Sequence, residues 1–482
     1  MIRTRILFTF LLFPVAGNLF SQDSDTLRKG IHQEESEFYS SFFAGKEPID
    51  SKGIAYPSDL NAELYNSKGL KARVLGWHPY WAEVSAYQNY DYEALSHIAY
   101  FSYEVDTATG GYTSIHSWYS TGLISYAHDR GTKILMTVTN FGSAKNTKLL
   151  SDTAKQITLL NTLIPLLKGR NADGVNFDLE TVSVSQRDNL VKFMRRAASM
   201  IKAEIPGAEI SMATPAVDWS GSWDLQKLSD ICDYLIIMGY NYYWSSSSTA
   251  GPVAPLAGET YSVSKSITTY LNAGVSPEKL MLGVPWYGYD WPVSSAVKKA
   301  ATTGTGSSRT YSVSQAMAAQ YSHTFDIATS TPWLSYKTGT LNRQMWYEDN
   351  KSLLMKYDYT ASKELAGIGI WAVSYEGTYS EVWSAIKEVF YDAEPESTDI
   401  TLISPNPVRG TSEISFSLLE KESVSLKIFD SGGRERLILV DEERDPGFYK
   451  ENFSSVGLTA GIYFCTMKTR TKTIIRKIVI VR

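Results

Sequence analysis

Residues 173–180 read Asp-Gly-Val-Asn-Phe-Asp-Leu-Glu, and this octapeptide decides the fold. Successive side chains of an extended strand point to opposite faces, so Asn176, Asp178 and Glu180 share one face and apolar residues share the other. Because the apolar face must pack on helices, the polar face points into the interior. Buried carboxylates are costly unless they have partners, so this face is predicted to carry chemistry.

Seven further apolar runs, each followed by helix-compatible sequence, flank this strand. The eight predicted strands are 73–77, 97–103, 133–139, 174–180, 209–214, 234–240, 280–286 and 367–373. Eight alternating units predict an α/β fold, a TIM (β/α)8 barrel over residues 72–390, with Glu180 at the rim where barrel active sites lie. An open doubly wound sheet is the alternative. The last two strands start 87 residues apart, which predicts an insertion at about 291–342 that either walls a cleft or forms a surface loop.

The helix after the fourth strand has the clearest helical periodicity. Ser185 is its predicted N-cap, Asp188 lies in the first turn, and apolar residues recur at helical intervals up to Ile201.

Residues 400–482 have a different pattern, with short alternating strands and turn signals that predict a small all-β sandwich. The strands are predicted at 413–418, 423–429, 461–467 and 473–481. An acidic linker, 391–399, precedes this module. The module holds 13 Lys and Arg against 10 Asp and Glu, so its net charge is +3 while that of the remainder is −8.

The N-terminus predicts export. Two arginines precede an apolar run in residues 1–21, which predicts a cleaved signal peptide; a membrane anchor is the alternative, but the run is too short to span a bilayer. Residues 22–71 are a polar N-terminal segment. Cys232 and Cys465, the two cysteines, are predicted to be buried thiols.

Composition limits the partners. The net charge of −5 gives no basic excess, so nucleic acid is not an expected partner. Six scattered histidines supply no ligand spacing, so neither a metal nor another cofactor is expected. The 31 Tyr, 18 Phe and 12 Trp exceed what a core needs and suit stacking on sugar rings. We expect a monomer.

The octapeptide resembles the D-x-x-D-x-D-x-E motif of glycoside hydrolase family 18, the chitinase-like TIM-barrel enzymes, with Asn176 in place of the usual Asp. Met238-Gly-Tyr-Asn241 is similar to the M-x-Y-D/N of the family, and Trp371 matches the tryptophan that floors the sugar site. Trp77 belongs to a weaker match on the first strand.

This resemblance implies a substrate-assisted retaining mechanism in which the acetamide oxygen of the substrate is the nucleophile. Glu180 would be the general acid and then the base, and Asp178 would bind the acetamide N–H. Tyr240 would donate to the acetamide oxygen, and Asn241 would help to hold that group. Asn176 could donate its amide hydrogens to Asp178.

The substrate is expected to be a polymer of β-1,4-linked N-acetylglucosamine, chitin-type first. Asn176 and the stretch from Tyr287 to Trp291 are similar to bacterial relatives of spore cortex-lytic N-acetylglucosaminidases, so peptidoglycan is the alternative. A non-cleaving chitinase-like lectin is a third possibility, against which Glu180 counts. Predicted substrate-binding residues are Asn176, Asn241, Met238, Trp371, Trp77, Tyr287 and Trp291, and further aromatic candidates are Tyr80, Trp81, Trp244 and Trp286.

The C-terminal module resembles the type A sorting domain of the type IX secretion system of Bacteroidetes. The matching stretches are Ser-Pro-Asn-Pro at 404–407, Leu-Thr-Ala-Gly-Ile-Tyr at 458–463 and the basic end at 476–482. The resemblance implies a partner in the type IX machinery and a secreted or cell-surface location. A carbohydrate-binding sandwich is the alternative.

Overall fold

A computed structural model describes residues 29–43, 46, 58–67, 69–391 and 397–481. The predicted signal peptide, 1–21, lies outside the described residues, and so does most of the predicted linker. The helices are α1 Ile31–Phe43, α2 Ala62–Ser67, α3 Leu123–His128, α4 Ser143–Leu150, α5 Thr153–Lys168, α6 Arg187–Glu204, α7 Leu225–Ile231, α8 Val263–Asn272, α9 Tyr311–Gln320, α10 Asn350–Ser362 and α11 Glu381–Phe390. In the part of the chain that is described, no helix combines the length and hydropathy needed to cross a membrane.

Seven of the first eight strands and one later strand, β14 Gly367–Trp371, build a closed barrel. The first eight are β1 Arg73–Pro79, β2 His97–Val105, β3 Tyr112–Ser114, β4 Lys133–Phe141, β5 Gly174–Glu180, β6 Glu209–Pro215, β7 Tyr234–Met238 and β8 Leu280–Pro285. The next six are β9 Tyr287–Val293, β10 Ser307–Thr310, β11 His323–Asp326, β12 Thr331–Thr338, β13 Leu341–Trp346 and β14 Gly367–Trp371. The sheet runs β1-β14-β8-β7-β6-β5-β4-β2 with parallel neighbours, β1 pairs with β2 to close it, and β3 is a hairpin strand on β2. The predicted TIM barrel is confirmed, and the open sheet is excluded.

The two faces of β5 divide as their residues require. Phe177 packs edge-on against Phe193 of α6, with ring centroids 5.5 Å apart, while Asp178 and Glu180 point into the barrel. Strand β5 pairs with β4 as far as Glu180 but with β6 only as far as Phe177. The end of the polar face of β5 therefore extends beyond β6, at the rim of the barrel.

The helix after β5 differs from the prediction in how it starts. A 3-10 turn, Val184–Gln186, precedes α6, and Gln186 is the N-cap residue without a side-chain cap. The predicted Ser185 cap is wrong, because the Ser185 hydroxyl is paired with that of Ser183 at 3.0 Å. Asp188 does lie in the first turn.

The insertion before β14 is a folded subdomain rather than a simple loop. Strands β9 to β13 form an antiparallel sheet in the order β10-β9-β13-β12-β11, and α9 connects β10 to β11. It starts at Tyr287, directly after β8, and so earlier than predicted. Asp290 is fully buried in it and accepts hydrogen bonds from Arg309, Tyr336 and Arg343.

The C-terminal module has two antiparallel sheets, as predicted for a sandwich. Its strands are β15 Asp399–Ser404, β16 Thr411–Leu418, β17 Glu422–Asp430, β18 Glu435–Arg444, β19 Gly447–Ser454, β20 Gly461–Lys468 and β21 Thr473–Ile480, ordered β15-β16-β19 and β18-β17-β20-β21. The sequence predicted four of these seven. Both cysteines are buried free thiols, as predicted.

Candidate active site

Two acidic side chains of β5 form the centre of the site. Asp178 is fully buried and Glu180 is 6% exposed. Burial, followed by the nearby charge of Asp178, raises the pKa of Glu180 well above its usual value. Its backbone is held in place, because the carbonyl of Glu180 accepts hydrogen bonds from Gly142 N–H at 3.1 Å and Asn146 Nδ2 at 2.5 Å. The backbone of Glu180 is thus held at the barrel rim, and the raised pKa of its carboxyl favours the protonated form.

The turn after β7 brings a hydroxyl and an amide to the same place. Tyr240 is buried, and burial beside Asp178 and Glu180 raises the pKa of its hydroxyl, which stays protonated as a donor. Asn241 has a left-handed backbone, with φ of 56°, and its Oδ1 accepts a hydrogen bond from the Tyr287 hydroxyl. Met238 lines a cavity beside Glu180 that is described below.

Two tryptophans lie beneath these polar groups. Trp371, at the end of β14, and Trp77, on β1, are fully buried, with ring centroids 6.2 Å apart. Trp77 Nε1 donates to Asn176 Oδ1 at 3.0 Å, and Asn176 Nδ2 donates to Ser211 Oγ at 3.0 Å. The amide of Asn176 therefore donates to Ser211 rather than to Asp178 as expected, because Ser211 lies directly opposite it on the adjacent strand β6.

The sequence did not predict that helix α1 lies in this site. His32, one residue into the helix, is fully buried, and its Nδ1 lies 2.6 Å from Asp178 Oδ2. Its Nε2 lies 2.8 Å from the Tyr240 hydroxyl, and its ring lies against Trp371 with centroids 3.7 Å apart. A histidine from the polar N-terminal segment thus contacts three predicted site residues at once.

Further residues of α1 extend this contact. Glu35 accepts from Trp371 Nε1 at 3.0 Å and from the Tyr375 hydroxyl at 2.6 Å, and burial raises its pKa to about 7. Glu34 accepts from the Tyr289 hydroxyl at 2.8 Å, and Tyr39 stacks on Trp81 with centroids 4.9 Å apart. Sequence periodicity could not have found this helix, since its buried side chains are mostly polar.

An open cavity lies on the other side of Glu180. It has a volume of about 360 Å³, and its walls include Glu180, Tyr240, Asn241, Met238 and Trp219. Trp219 is 47% exposed and meets Tyr261 edge-on.

Some of the aromatic candidates lie away from these carboxyls. Trp291 is fully buried in the inserted subdomain and donates to the backbone of Trp244 and Ser245. Trp286 packs on Trp383. The structure does not bring either ring to the open cavity, because both point into packed interiors.

Among the described residues, one group could offer three metal ligands: His32, Asp178 and Glu180. Sequence spacing did not indicate it, because the histidine is more than 140 positions from the carboxylates. The 2.6 Å between His32 and Asp178 is a hydrogen-bond distance, which leaves no room for an ion between those atoms.

Each of the two modules matches a known protein family. Residues 77–376 match the family Glycosyl hydrolases family 18, and residues 402–481 match the Secretion system C-terminal sorting domain. Di-N-acetylchitobiase of Mus musculus is 26% identical over 56% of this chain and 80% of its own length. A putative sporulation-specific glycosylase of Bacillus subtilis is 26% identical over 50% of this chain, and the match spans only 57% of that relative. The cortical fragment-lytic enzyme of Bacillus subtilis is 23% identical over 56% of this chain and 63% of its own length.

Solved structures agree on the fold. A family 18 chitinase mutant from Cycas revoluta, in complex with (GlcNAc)4, aligns with a TM-score of 0.60 at 21% identity, over 66% of this chain and 99% of that one. The Bacillus cereus spore cortex-lytic enzyme SleL aligns with a TM-score of 0.58 at 18% identity, over 66% of this chain and 74% of its own. Because the family match covers more than half of the sequence, this chain belongs to the glycosyl hydrolases of family 18 and carries a C-terminal sorting domain of the type IX secretion system.

Proposed function

We propose that this protein hydrolyses polymers of β-1,4-linked N-acetylglucosamine, with the acetamide group of the substrate as nucleophile. The observation that carries the proposal is the convergence of Asp178, Tyr240 and Trp371 on the ring of His32, with Glu180 Oε1 3.6 Å from its Nδ1. Hydrolysis of an N-acetylated sugar needs an acid for the leaving oxygen, an acceptor for the acetamide N–H and a donor for the acetamide oxygen. It also needs an apolar surface beneath the sugar ring.

Glu180 is the proposed general acid. Its raised pKa keeps the carboxyl protonated at a pH where an exposed glutamate is ionised, so it can give its proton to the leaving oxygen. The acetamide oxygen attacks the anomeric carbon as the glycosidic bond breaks, and this forms an oxazolinium ion. Glu180, now a carboxylate, then removes a proton from the water that attacks the anomeric carbon and opens the oxazolinium ring. The product therefore retains its anomeric configuration.

Asp178 and Tyr240 are proposed to hold the acetamide. Asp178 would accept from its N–H and balance the positive charge of the intermediate, while the Tyr240 hydroxyl would donate to its oxygen. The donation from Tyr287 to Asn241 would orient the amide of Asn241 toward the same group.

Chitin-type glycans are the first candidate substrate and peptidoglycan is the second. Chitobiase and chitinase among the similar proteins support the first, and the cortex-lytic enzymes support the second. A fluorogenic chitobioside and purified peptidoglycan, each incubated with the protein and with its Glu180→Gln variant, test both. If the protein releases sugar from neither glycan, the hydrolase assignment is contradicted.

The sorting domain is proposed to direct the protein out of the cell or to its surface. Deletion of residues 400–482 should leave the barrel active in vitro but keep the protein in the periplasm. A truncated protein that is exported normally, yet binds insoluble polysaccharide much more weakly, would instead identify a carbohydrate-binding module.

A further inference from the structure

We propose that helix α1 is a built-in inhibitor of this enzyme, and that His32 occupies the place of the substrate acetamide. The inference rests on the proposed function, because it takes the groups around His32 to be the sugar-binding groups. It assigns a role to the N-terminal segment, to which the catalytic mechanism gives none.

The ring of His32 offers hydrogen-bonding atoms in the same arrangement as an amide does. An amide presents an N–H donor and, two bonds away, an oxygen acceptor. In the tautomer that carries its hydrogen on Nδ1, the imidazole likewise donates to Asp178, at 2.6 Å, and its Nε2 accepts from the Tyr240 hydroxyl, at 2.8 Å. These are the two partners proposed for the acetamide, used in the same donor and acceptor sense.

The surroundings of His32 fit the same interpretation. The imidazole lies on Trp371, tilted by 30°, where a sugar would rest. Gly30 lies against the Glu180 carboxyl so closely that a Cβ at this position would overlap Glu180 Oε2. With α1 in place, the acid therefore meets protein backbone where a glycosidic oxygen would need to be.

Contacts along the helix cover more of the cleft. Glu35 takes hydrogen bonds from Trp371 Nε1 and Tyr375, Glu34 takes them from Ser245 and Tyr289, and Tyr39 covers Trp81. Two carboxyl groups and a phenol thus use the donors and ring faces that a chain of hydroxylated sugars would use.

Helix α1 contacts the cleft through polar as well as apolar side chains. It buries Ile31, His32 and Glu35, and Phe43 packs partly on the core, whereas the other two phenylalanines of the helix are 57% and 62% exposed. An isolated helix of 13 residues is marginal in water, so its stability comes from these contacts.

The inhibitor is part of the same chain, so its effective concentration is high, of the order of millimolar for a short tether. Substrate must displace it, and the inhibition is therefore competitive. Loss of α1 contacts should lower KM and leave kcat unchanged.

The experiment compares the full chain with its His32→Ala variant, and Phe42→Ala is the matched control because it truncates an exposed side chain of the same helix. Removing two hydrogen bonds and a ring contact should lower KM for (GlcNAc)4 by about tenfold or more. Phe42→Ala should behave as the wild type does. If His32→Ala has the KM of an active wild type, the inference is overturned while the proposed function stands.

A second measurement does not depend on turnover. Hydrogen exchange of the α1 amides is followed in the Glu180→Gln background, with and without (GlcNAc)4, so that the sugar is not consumed. We expect slow exchange that speeds up when the sugar is added, and exchange that is already fast in the double variant with His32→Ala. If the protein hydrolyses no glycan, the proposed function fails, and this measurement still decides the inference: amides that exchange equally slowly with and without saturating sugar overturn it.

Discussion

The cleft has two sides, which meet at Glu180 and differ in what covers them. On the side of Trp371, helix α1 fills the cleft and leaves the tryptophan with no exposed surface. On the side of Trp219, a cavity of about 360 Å³ stays open. One side of the cleft is thus occupied by the protein's own chain, while the other side stays open and is bordered by the start of α1 at Gly30 and Ile31.

The largest expected effect is at the boundary between the two sides. Glu180→Gln removes the proposed proton donor but keeps the shape of the side chain, so turnover should fall by several orders of magnitude while oligosaccharide binding is retained. Initial rates on a chitobioside and calorimetric titration with (GlcNAc)4 measure the two effects. Hydrolysis near the wild-type rate by a folded variant would assign the acid to another residue.

Asp178→Asn should be the next largest effect. It loses the negative charge beside the cationic intermediate, at a cost of about 3 kcal/mol by comparison with removal of one oxyanion-hole donor, or roughly 10²-fold in kcat. Asp188→Asn, on α6, is the matched control and should be neutral. NMR of fresh product should show the retained anomer, and an inverted anomer would rule out assistance by the substrate.

The covered side should respond to pH. The pKa of Glu35 is about 7 with α1 docked, against an ordinary value of 4.5, so docking takes up a proton. Docking is therefore strongest below about pH 4.5 and weakens as pH rises to about 7, by at most about tenfold per pH unit for each such carboxyl. Burial of Glu34 acts in the same direction. Other titratable groups facing Glu35 are Tyr39, Tyr240, Tyr287, Tyr289 and Tyr375, each with a pKa raised by burial.

Hydrogen exchange of α1, corrected for intrinsic rates at each pH, measures this effect. Glu35→Gln keeps an acceptor for Trp371 and Tyr375 but cannot titrate, so its profile should be flatter than that of the wild type. Equal slopes in the two proteins would show that the pH dependence arises elsewhere.

The smallest expected effect is on the open side. Trp219→Ala removes an exposed ring from the cavity wall, and lost stacking of about 0.5–1.5 kcal/mol should raise KM for (GlcNAc)4 by about two- to tenfold. Tyr119→Ala, which removes a ring that is 57% exposed but does not line this cavity, is the control. An unchanged KM would show that sugars do not rest on Trp219.

The sequence predicted the barrel well because its strands have strong local signals. Strand β5 begins and ends where the alternation placed it, at Gly174 and Glu180, since a polar inner face leaves one register possible. Strand β18 was not predicted: it is a charged edge strand, and most of its side chains are exposed. Without a buried face, such a strand has no alternation to detect.

The two sides of the cleft also differ in how far their residues could be predicted from local sequence patterns. Asp178, Glu180, Tyr240 and Trp371 lie on strands or strand ends, so barrel topology brings them together and the motif could be read from the chain. Helix α1 packs through His32 and Glu35 into a polar, aromatic cleft, so its buried face looks like a solvent face. The partners of those side chains are more than 100 residues away, and no local pattern encodes such a contact.

The position of the His32 ring also has a consequence for inhibitor chemistry. Imidazole carries its N–H and its lone pair in a 1,3 relation, as a secondary amide does, but it has no carbonyl carbon and no oxygen that could attack a sugar. A short peptide or a small heterocycle could be built on this ring, with a carboxylate placed as Glu35 is placed. It would be a carbohydrate-free scaffold for inhibitors of the acetamide pocket of such enzymes.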